Sequence, residues 1–322
     1  MYTEFYGLTA LPFQLTPDPR FFFESSVHRR AVAHLMFGIE QSEGFIVVTG
    51  EVGAGKTTIL GHLLATLDTS RVVAAKVVST NLQAEDTLRS VASAFRLEFQ
   101  GSDKATLLRR IEDFLVSNHS RGLRTLLLID EAQNLSAAAL EELRMLSNFQ
   151  VGAKVPLQSF LLGQPQFRRT LANPDLEQFR QRIIASYHLG PMGEAETAEY
   201  IRHRLTLVGW TSAPIFTDAA MTEIFRNTDG VPRRINVLCS RILLHAFLDG
   251  LLTIDDDVVR VVAEDHQREN AQILDSSDGR VAAPAGRDTA VMDRLDHVER
   301  TVERHGRALQ FFASLAESKD RF

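Results

Sequence analysis

Val47–Leu60 reads VVTGEVGAGKTTIL, with three glycines, a lysine and three threonines set between two apolar segments. The stretch fits G-x-x-x-x-G-K-[ST] at Gly50, Gly55, Lys56 and Thr57. A phosphate chain needs backbone N–H groups turned inward around it. Glycine lets the backbone curl that way without a Cβ in the path. The loop residues Gly50, Glu51, Val52, Gly53, Ala54 and Gly55 are therefore read as a cradle running into Lys56, Thr57 and Thr58. A helix beginning there adds the positive end of its dipole. Lys56 offers a point charge to the β- and γ-phosphates, and the Thr57 hydroxyl is a ligand for Mg²⁺. The confirming context is a strand before the loop and a helix after it. GFIVVTG (44–50) reads as a buried strand, and a helix is expected from the glycines to about Leu67.

A phosphate site also needs an acid at the tip of a neighbouring strand. LLLIDEAQ (126–133) supplies Asp130, suited to hold Mg²⁺ through a water, and Glu131, suited to polarise an attacking water. Two adjacent carboxylates are costly there unless a cation compensates. The competing reading is an acid pair capping a helix at 136. Further donors should meet charge that develops on the γ-phosphoryl group. Gln164, ending SFLLGQ, is one candidate, with a plain turn residue before Pro165 as the alternative. Arg180 and Arg182 in QFRQRI, and Arg233 and Arg234 in DGVPRRIN, are others, since guanidinium forks fit phosphate oxygens.

The surrounding chain has a consistent texture. It has 322 residues and a net charge of −6, so a uniformly basic nucleic-acid glove is excluded while a local basic face is not. The one cysteine, Cys239, permits no internal disulfide and reads as a small core residue in a reducing compartment. The N-terminus has no apolar signal-peptide core, and no window of about 18 apolar residues suggests a membrane span. A cytoplasmic protein is expected, peripheral at the inner membrane only through partners.

Four more apolar runs share the buried-strand look: 71–80, 124–132, 156–164 and 183–191. Helical patterns at 84–98, 104–118, 136–149 and 165–181 alternate with them. The fold class expected is α/β, a five-stranded parallel sheet covered on both faces. After Pro191 four helical segments follow without a strand, at 194–208, 217–228, 232–248 and 255–266. The expected division is a core over 1–191, a helical lid over 192–270, a linker over 271–290 and an amphipathic helix over 291–322. In that last segment Val291, Leu295, Val298, Val302, Leu309 and Phe312 keep a 4-3-4 rhythm, compatible with a coiled coil or with a helix folded back on its own domain.

The order of these motifs resembles the AAA+ ATPases over about residues 1–268. Within them it is similar to the ExeA/GspA-like general secretion pathway ATPases, including relatives beside pilus-biogenesis and exosortase-linked polysaccharide genes. The strings that carry the resemblance are FYGLTALPFQLTPDPRFFFES, GFIVVTGEVGAGKTT, LLLIDEAQNLSAAALEELRMLSNF, LLGQPQF, QFRQRI and GVPRRINVLC. The resemblance implies ATP and Mg²⁺ as cofactors, and Lys56, Thr57, Asp130 and Glu131 as the Walker residues. It implies Gln164 as sensor 1 and Arg233 as sensor 2. Arg182 would be the finger reaching a neighbour's nucleotide, with Arg180 as the substitute. Asn81 would restrain the Walker B glutamate, and the lead-in from Phe13 to His28 would close over adenine.

It further implies a homo-oligomer, a hexameric or heptameric ring or a filament. Two tasks are compatible with the sequence. One is an assembly or regulatory ATPase of an envelope secretion, pilus or exopolysaccharide apparatus, recruiting its partner through the C-terminal helix. The other is a DNA-bound regulator of transposition of the TnsC, TniB and MuB kind, polymerising on duplex DNA beside a transposase. RGLR (121–124), FRRT (167–170) and VPRRINVLCSR (231–241) would then present arginines along one face. ExeA proteins continue into a membrane span and a peptidoglycan-binding domain that this sequence lacks, so a cytosolic role is expected over a direct cell-wall role.

Overall fold

A computed structural model describes residues 2–16, 18–41, 44–78, 83–152 and 154–277. In chain order the elements are α1 (Tyr2–Phe5), α2 (Ser26–Gln41), β1 (Phe45–Gly50), α3 (Lys56–Thr66), β2 (Val72–Val78), α4 (Ala84–Ala94), α5 (Lys104–Ser120) and β3 (Arg124–Asp130). There follow α6 (Ala137–Leu146), β4 (Leu157–Gly163), α7 (Gln166–Leu171), α8 (Glu177–Arg180), β5 (Ile183–Leu189), α9 (Glu194–Leu207), β6 (Ile215–Phe216), α10 (Asp218–Thr228), α11 (Pro232–Leu248), β7 (Thr253–Ile254) and α12 (Asp256–Ser277).

β1 to β5 form one parallel sheet in the order β2-β3-β4-β1-β5. Phe45 and Val47 of β1, Leu127 and Ile129 of β3, and Leu157 and Leu161 of β4 face a core built with α4, α5 and α6. Ile46, Val48, Leu126, Leu128, Phe160 and Leu162 face a second core built with α2 and α3. Both faces are covered, which is why these three strands are dominated by apolar residues, with Gln158 and Ser159 of β4 as buried polar exceptions. The α/β class and the five-stranded parallel sheet are as expected.

Two of the five runs are not buried strands. β2 and β5 are the sheet edges, and their residues are mostly half-buried or exposed. Length and apolarity alone do not distinguish an edge from a centre when the edge is still packed on one side. A second correction concerns neighbours. β3 does not lie beside β1, because β4 separates them. The acid-bearing strand therefore faces the glycine loop across the end of β4, which places Gln164 between the two.

The chain divides into two compact units. Residues 15–200 and 229–234 form one; among described residues, 2–14, 201–228 and 235–277 form the other. Residues 2–14 were expected with the sheet, but they are fastened to the helical unit. Tyr6 donates to the Leu251 carbonyl at 2.9 Å, Thr9 N–H donates to the Val208 carbonyl at 2.9 Å, and Arg204 Nε donates to the Pro12 carbonyl at 2.6 Å. Conversely 229–234, from the expected lid, belongs with the sheet unit. The helical unit also contains a strand pair that the sequence did not suggest, Ile215–Phe216 beside Thr253–Ile254, each too short to show a period of two.

α12 runs on to Ser277, into the segment expected as linker; Ala271, Gln272 and Leu274 are good helix formers. The remainder of that linker and the expected helix over 291–322 lie outside the described residues. Among the described residues no helix is long and apolar enough to cross a membrane.

Cys239 lies in α11 with 0% exposure, and desolvation pushes its thiol pKa up. Native protein is expected to give no reaction with Ellman's reagent over minutes, and one equivalent after unfolding in guanidinium. Rapid reaction of the folded chain would contradict this packing.

Candidate functional site

The glycine loop sits at the C-terminal end of β1 and opens directly into α3. Gly55 has φ +99°, a conformation side chains rarely adopt, and it turns the backbone into the first helical residue, Lys56. Lys56 Nζ donates to the carbonyls of Gly50 at 2.7 Å and Glu51 at 3.0 Å. The ammonium is thereby held across the mouth of its own loop. It is 6% exposed. Burial lowers its pKa, and the charges of Glu131, Asp130 and Glu51 act in the opposite direction. An anionic phosphate is the chemistry that such a cation favours. Glu51 and Val52 are exposed on the loop's outer turn, Ala54 is buried beneath it, and Thr58 follows in α3.

Two expected partners reach the loop. Arg233 N–H donates to the Gly53 carbonyl at 3.2 Å, and a Cβ on Gly53 would stand 2.2 Å from the Arg233 Cβ. Only glycine admits the start of α11 this close. His28 reaches the other side, its Nε2 lying 3.2 Å from the Ala54 carbonyl and its Nδ1 2.6 Å from Ser25 Oγ. A carbonyl only accepts, so Nε2 carries the proton and Nδ1 accepts from the serine hydroxyl. Both ring nitrogens thus serve protein groups, and His28 braces the loop. The lead-in does not act as one piece: Phe13 belongs to the helical unit, whereas Phe22 packs edge-on to His28 and stacks on His62 of α3.

The acid pair stands opposite. Asp130 is 4% exposed, and its Oδ2 accepts from the Thr57 hydroxyl at 3.1 Å. These two hard oxygen donors fit Mg²⁺. The same Oδ2 lies 3.1 Å from Lys76 Nζ. Lys76 is paired with Leu128 in the sheet register, and its stem climbs two residues along β2 to reach Asp130. The sequence reading missed it. Its signal was a single charge inside VVAAKVV, on the same face as Asp130.

Glu131 follows with φ +57° and ψ +41°, left-handed backbone on a non-glycine residue. Such geometry costs of order 1–3 kcal/mol and gathers at functional sites. The pair does not cap α6, because Ser136 does so by accepting from Ala139 N–H. Glu131 Oε2 accepts from Gln164 Nε2 at 3.3 Å and from Gln133 Nε2 at 2.5 Å. Gln133 was also missed, and one more amide in a loop gave no signal of its own.

Arg180 and Arg182 are not brought to this cluster. Phe45 N–H donates to the Arg182 carbonyl at 2.9 Å, at the end of β1 away from the loop. Five residue steps of strand put that end roughly 16 Å from Gly50. Arg182 donates to the Ser147 carbonyl and Asn148 Oδ1; Arg180 donates to the Leu171 and Asn173 carbonyls. Asn81 lies outside the described residues.

Two expectations follow. Lys76→Met leaves Asp130 without its ammonium partner, and nucleotide-free protein should lose about 1 kcal/mol because the lysine is partly exposed; urea melts of the two proteins read this directly. Burial holds the His28 pKa below its ordinary value of 6.5. The unfolded chain then takes the proton first, so stability is full above about 6.5 and falls as pH drops through the lowered folded value. His28→Gln should flatten the wild-type fall in Tm between pH 7 and pH 5; parallel curves would exclude His28 as a source of that fall.

Residues 39–171 match the AAA domain family. General secretion pathway protein A of Aeromonas hydrophila is 39% identical over 251 residues, which is 78% of this chain and 46% of that protein. The chain thus spans less than half the length of that curated relative. Cdc6p from Pyrobaculum aerophilum superposes with a TM-score of 0.61 at 15% identity, over 79% of this chain and 70% of that one. ORC2 of Aeropyrum pernix, solved as ADPNP–ADP complexes, superposes with a TM-score of 0.55 at 18% identity, over 74% of this chain and 66% of that one. The chain shares its fold with these solved structures, matches the AAA domain family over residues 39–171 and resembles general secretion pathway protein A over most of its own length.

Proposed function

We propose that the chain binds ATP with Mg²⁺ at the β1–α3 loop and hydrolyses it between subunits of a homo-oligomer. The observation that carries this reading is the separation of the parts. Lys56, Thr57, Asp130, Glu131, Gln164 and Arg233 belong to one cluster, while Arg180 and Arg182 stand at the far end of β1. Thr57 and Asp130 would hold Mg²⁺, which supplies charge neutralisation on the phosphates. Lys56 and the loop N–H groups bind the phosphate chain, and Arg233 lies against the same loop. Glu131 accepts a proton from the water that attacks the γ-phosphorus as the bond to ADP breaks. Gln164 orients that water or the γ-phosphate. A finger from Arg182, with Arg180 as the substitute, would come from a neighbouring copy.

The similarity to general secretion pathway protein A supports an assembly or regulatory task in an envelope apparatus. The DNA reading is less supported, because several of its arginines serve intrachain partners. Arg124 donates to the Ile39 carbonyl, Arg234 pairs with Asp229, and Arg241 pairs with Glu269. Salt-sensitive, ATP-dependent binding to plain duplex would restore it.

Glu131→Gln should retain ATP and lose about 100-fold or more in turnover. Arg182→Ala should be similarly slow. Mixing the two variants should recover part of the rate, since one brings an intact finger and the other an intact base. Absence of recovery at any protein concentration would refute the shared site.

A further inference from the structure

Gln133 occupies a place in the site that no motif assigns. It lies in the tight turn Ala132–Asn134 directly after Glu131. Ala132 and Leu135, buried in the core, pin that turn on either side. The turn is closed by Asn134 N–H donating to the Glu131 carbonyl at 3.0 Å and Leu135 N–H donating to the Ala132 carbonyl at 3.1 Å. The Gln133 side chain makes two bonds. Its Oε1 accepts from the backbone N–H of Gln164 at 2.9 Å, and its Nε2 donates to Glu131 Oε2 at 2.5 Å.

The direction of this amide is fixed by chemistry. A backbone N–H can only donate, so the Gln133 oxygen must face Gln164. The nitrogen must then face Glu131, whose carboxylate can only accept. Gln133 is thus a link of fixed polarity from the end of β4 to the Glu131 carboxylate. The two amides on Glu131 Oε2 are unlike in their anchorage. Gln133 is tied at one end to the backbone of a residue leaving a central strand, whereas Gln164 reaches the carboxylate with its flexible side chain, at 3.3 Å. If Gln164 turns toward phosphate or water, Gln133 still holds the carboxylate. Glu131 needs such a hold, because its left-handed backbone gives its side chain an unusual starting direction.

We propose that Gln133 is a positioning residue that orients the Glu131 carboxylate for water activation by tethering it to the end of β4. This rests on the reading of Glu131 as the base. Nothing in the arrangement calls on Gln133 to touch nucleotide, so its removal should separate turnover from binding.

The test uses the full chain and four variants: Gln133→Ala, Gln133→Glu, Glu131→Gln, and Gln133→Ala combined with Glu131→Gln. ATP affinity is measured with a fluorescent analogue, and kcat and KM under steady state. Gln133→Ala should lower kcat roughly ten- to hundredfold, the worth of a hydrogen bond to a charged group, with KM and affinity unchanged. Gln133→Glu keeps the shape and the bond to Gln164 but turns a donor into an acceptor, so it should lose at least as much. In the Glu131→Gln background, Gln133→Ala should have no further effect on kcat. Wild-type kcat in Gln133→Glu overturns the tether, as does a loss confined to KM or an equal loss in both backgrounds. Full activity in Glu131→Gln overturns instead the underlying assignment of the base. Each variant's Tm accompanies its rates; a Gln133→Glu protein that melts like wild type yet turns over slowly supports the proposal, and one whose kcat loss vanishes at a temperature well below its melt overturns it.

Discussion

The site depends on balancing a nearly buried carboxylate at the tip of β3. Asp130 is almost inaccessible to water, and an unpaired charge there would cost several kcal/mol. Three groups answer that charge from two elements. Thr57 donates from the first turn of α3, where Lys56 also contributes its field, and Lys76 approaches from β2. The strand alternation makes this possible. Even-numbered residues of β3 face α3, so Asp130 emerges on the side where the first turn of that helix begins. The same alternation places Lys76 on that side. The Asp130 charge is thus already compensated within the protein by two ammonium groups and a hydroxyl donor.

Glu131, one residue further, is governed by different forces. The chain has left the sheet, turned left-handed and entered a tight turn, and two carboxamides hydrogen-bond the carboxylate within the field of Lys56. Adjacent acids in sequence therefore meet unlike environments. One is paired directly with the Lys76 ammonium and the Thr57 hydroxyl; the other is hydrogen-bonded by two carboxamides. β4 makes the difference: inserted between β1 and β3, it delivers Gln164 and the backbone N–H that anchors Gln133.

Much of the core was legible because its signals are local. The glycines, Lys56 and Thr57 are constrained by backbone curvature and phosphate charge, both expressed within eight residues. The central strands declare themselves by continuous apolarity. Edge strands were misread because one covered face already gives an apolar run, as in VVAAKVV and IIASYHL. The destination of residues 2–14 was illegible for another reason. The segment is held by hydrogen bonds across more than 190 residues of sequence, each accepted by a backbone carbonyl, and backbone carbonyls leave no mark in a sequence.

The sequence by itself determined the glycine loop, the acid pair, the α/β class and most of the described helical segments, since each follows from periodicity or from residue types that one chemistry requires; the helix expected over 165–181 is instead broken into short pieces around Pro174. Tertiary structure alone decided what those residues meet. It set β4 between the loop and the acids, brought Lys76 to Asp130 and Gln133 to Glu131, placed Arg233 against Gly53, and kept Arg180 and Arg182 at the opposite end of β1. Strand order is the physical reason. It is fixed by how the helices pack on both faces of the sheet, and no short-range pattern along the chain encodes it.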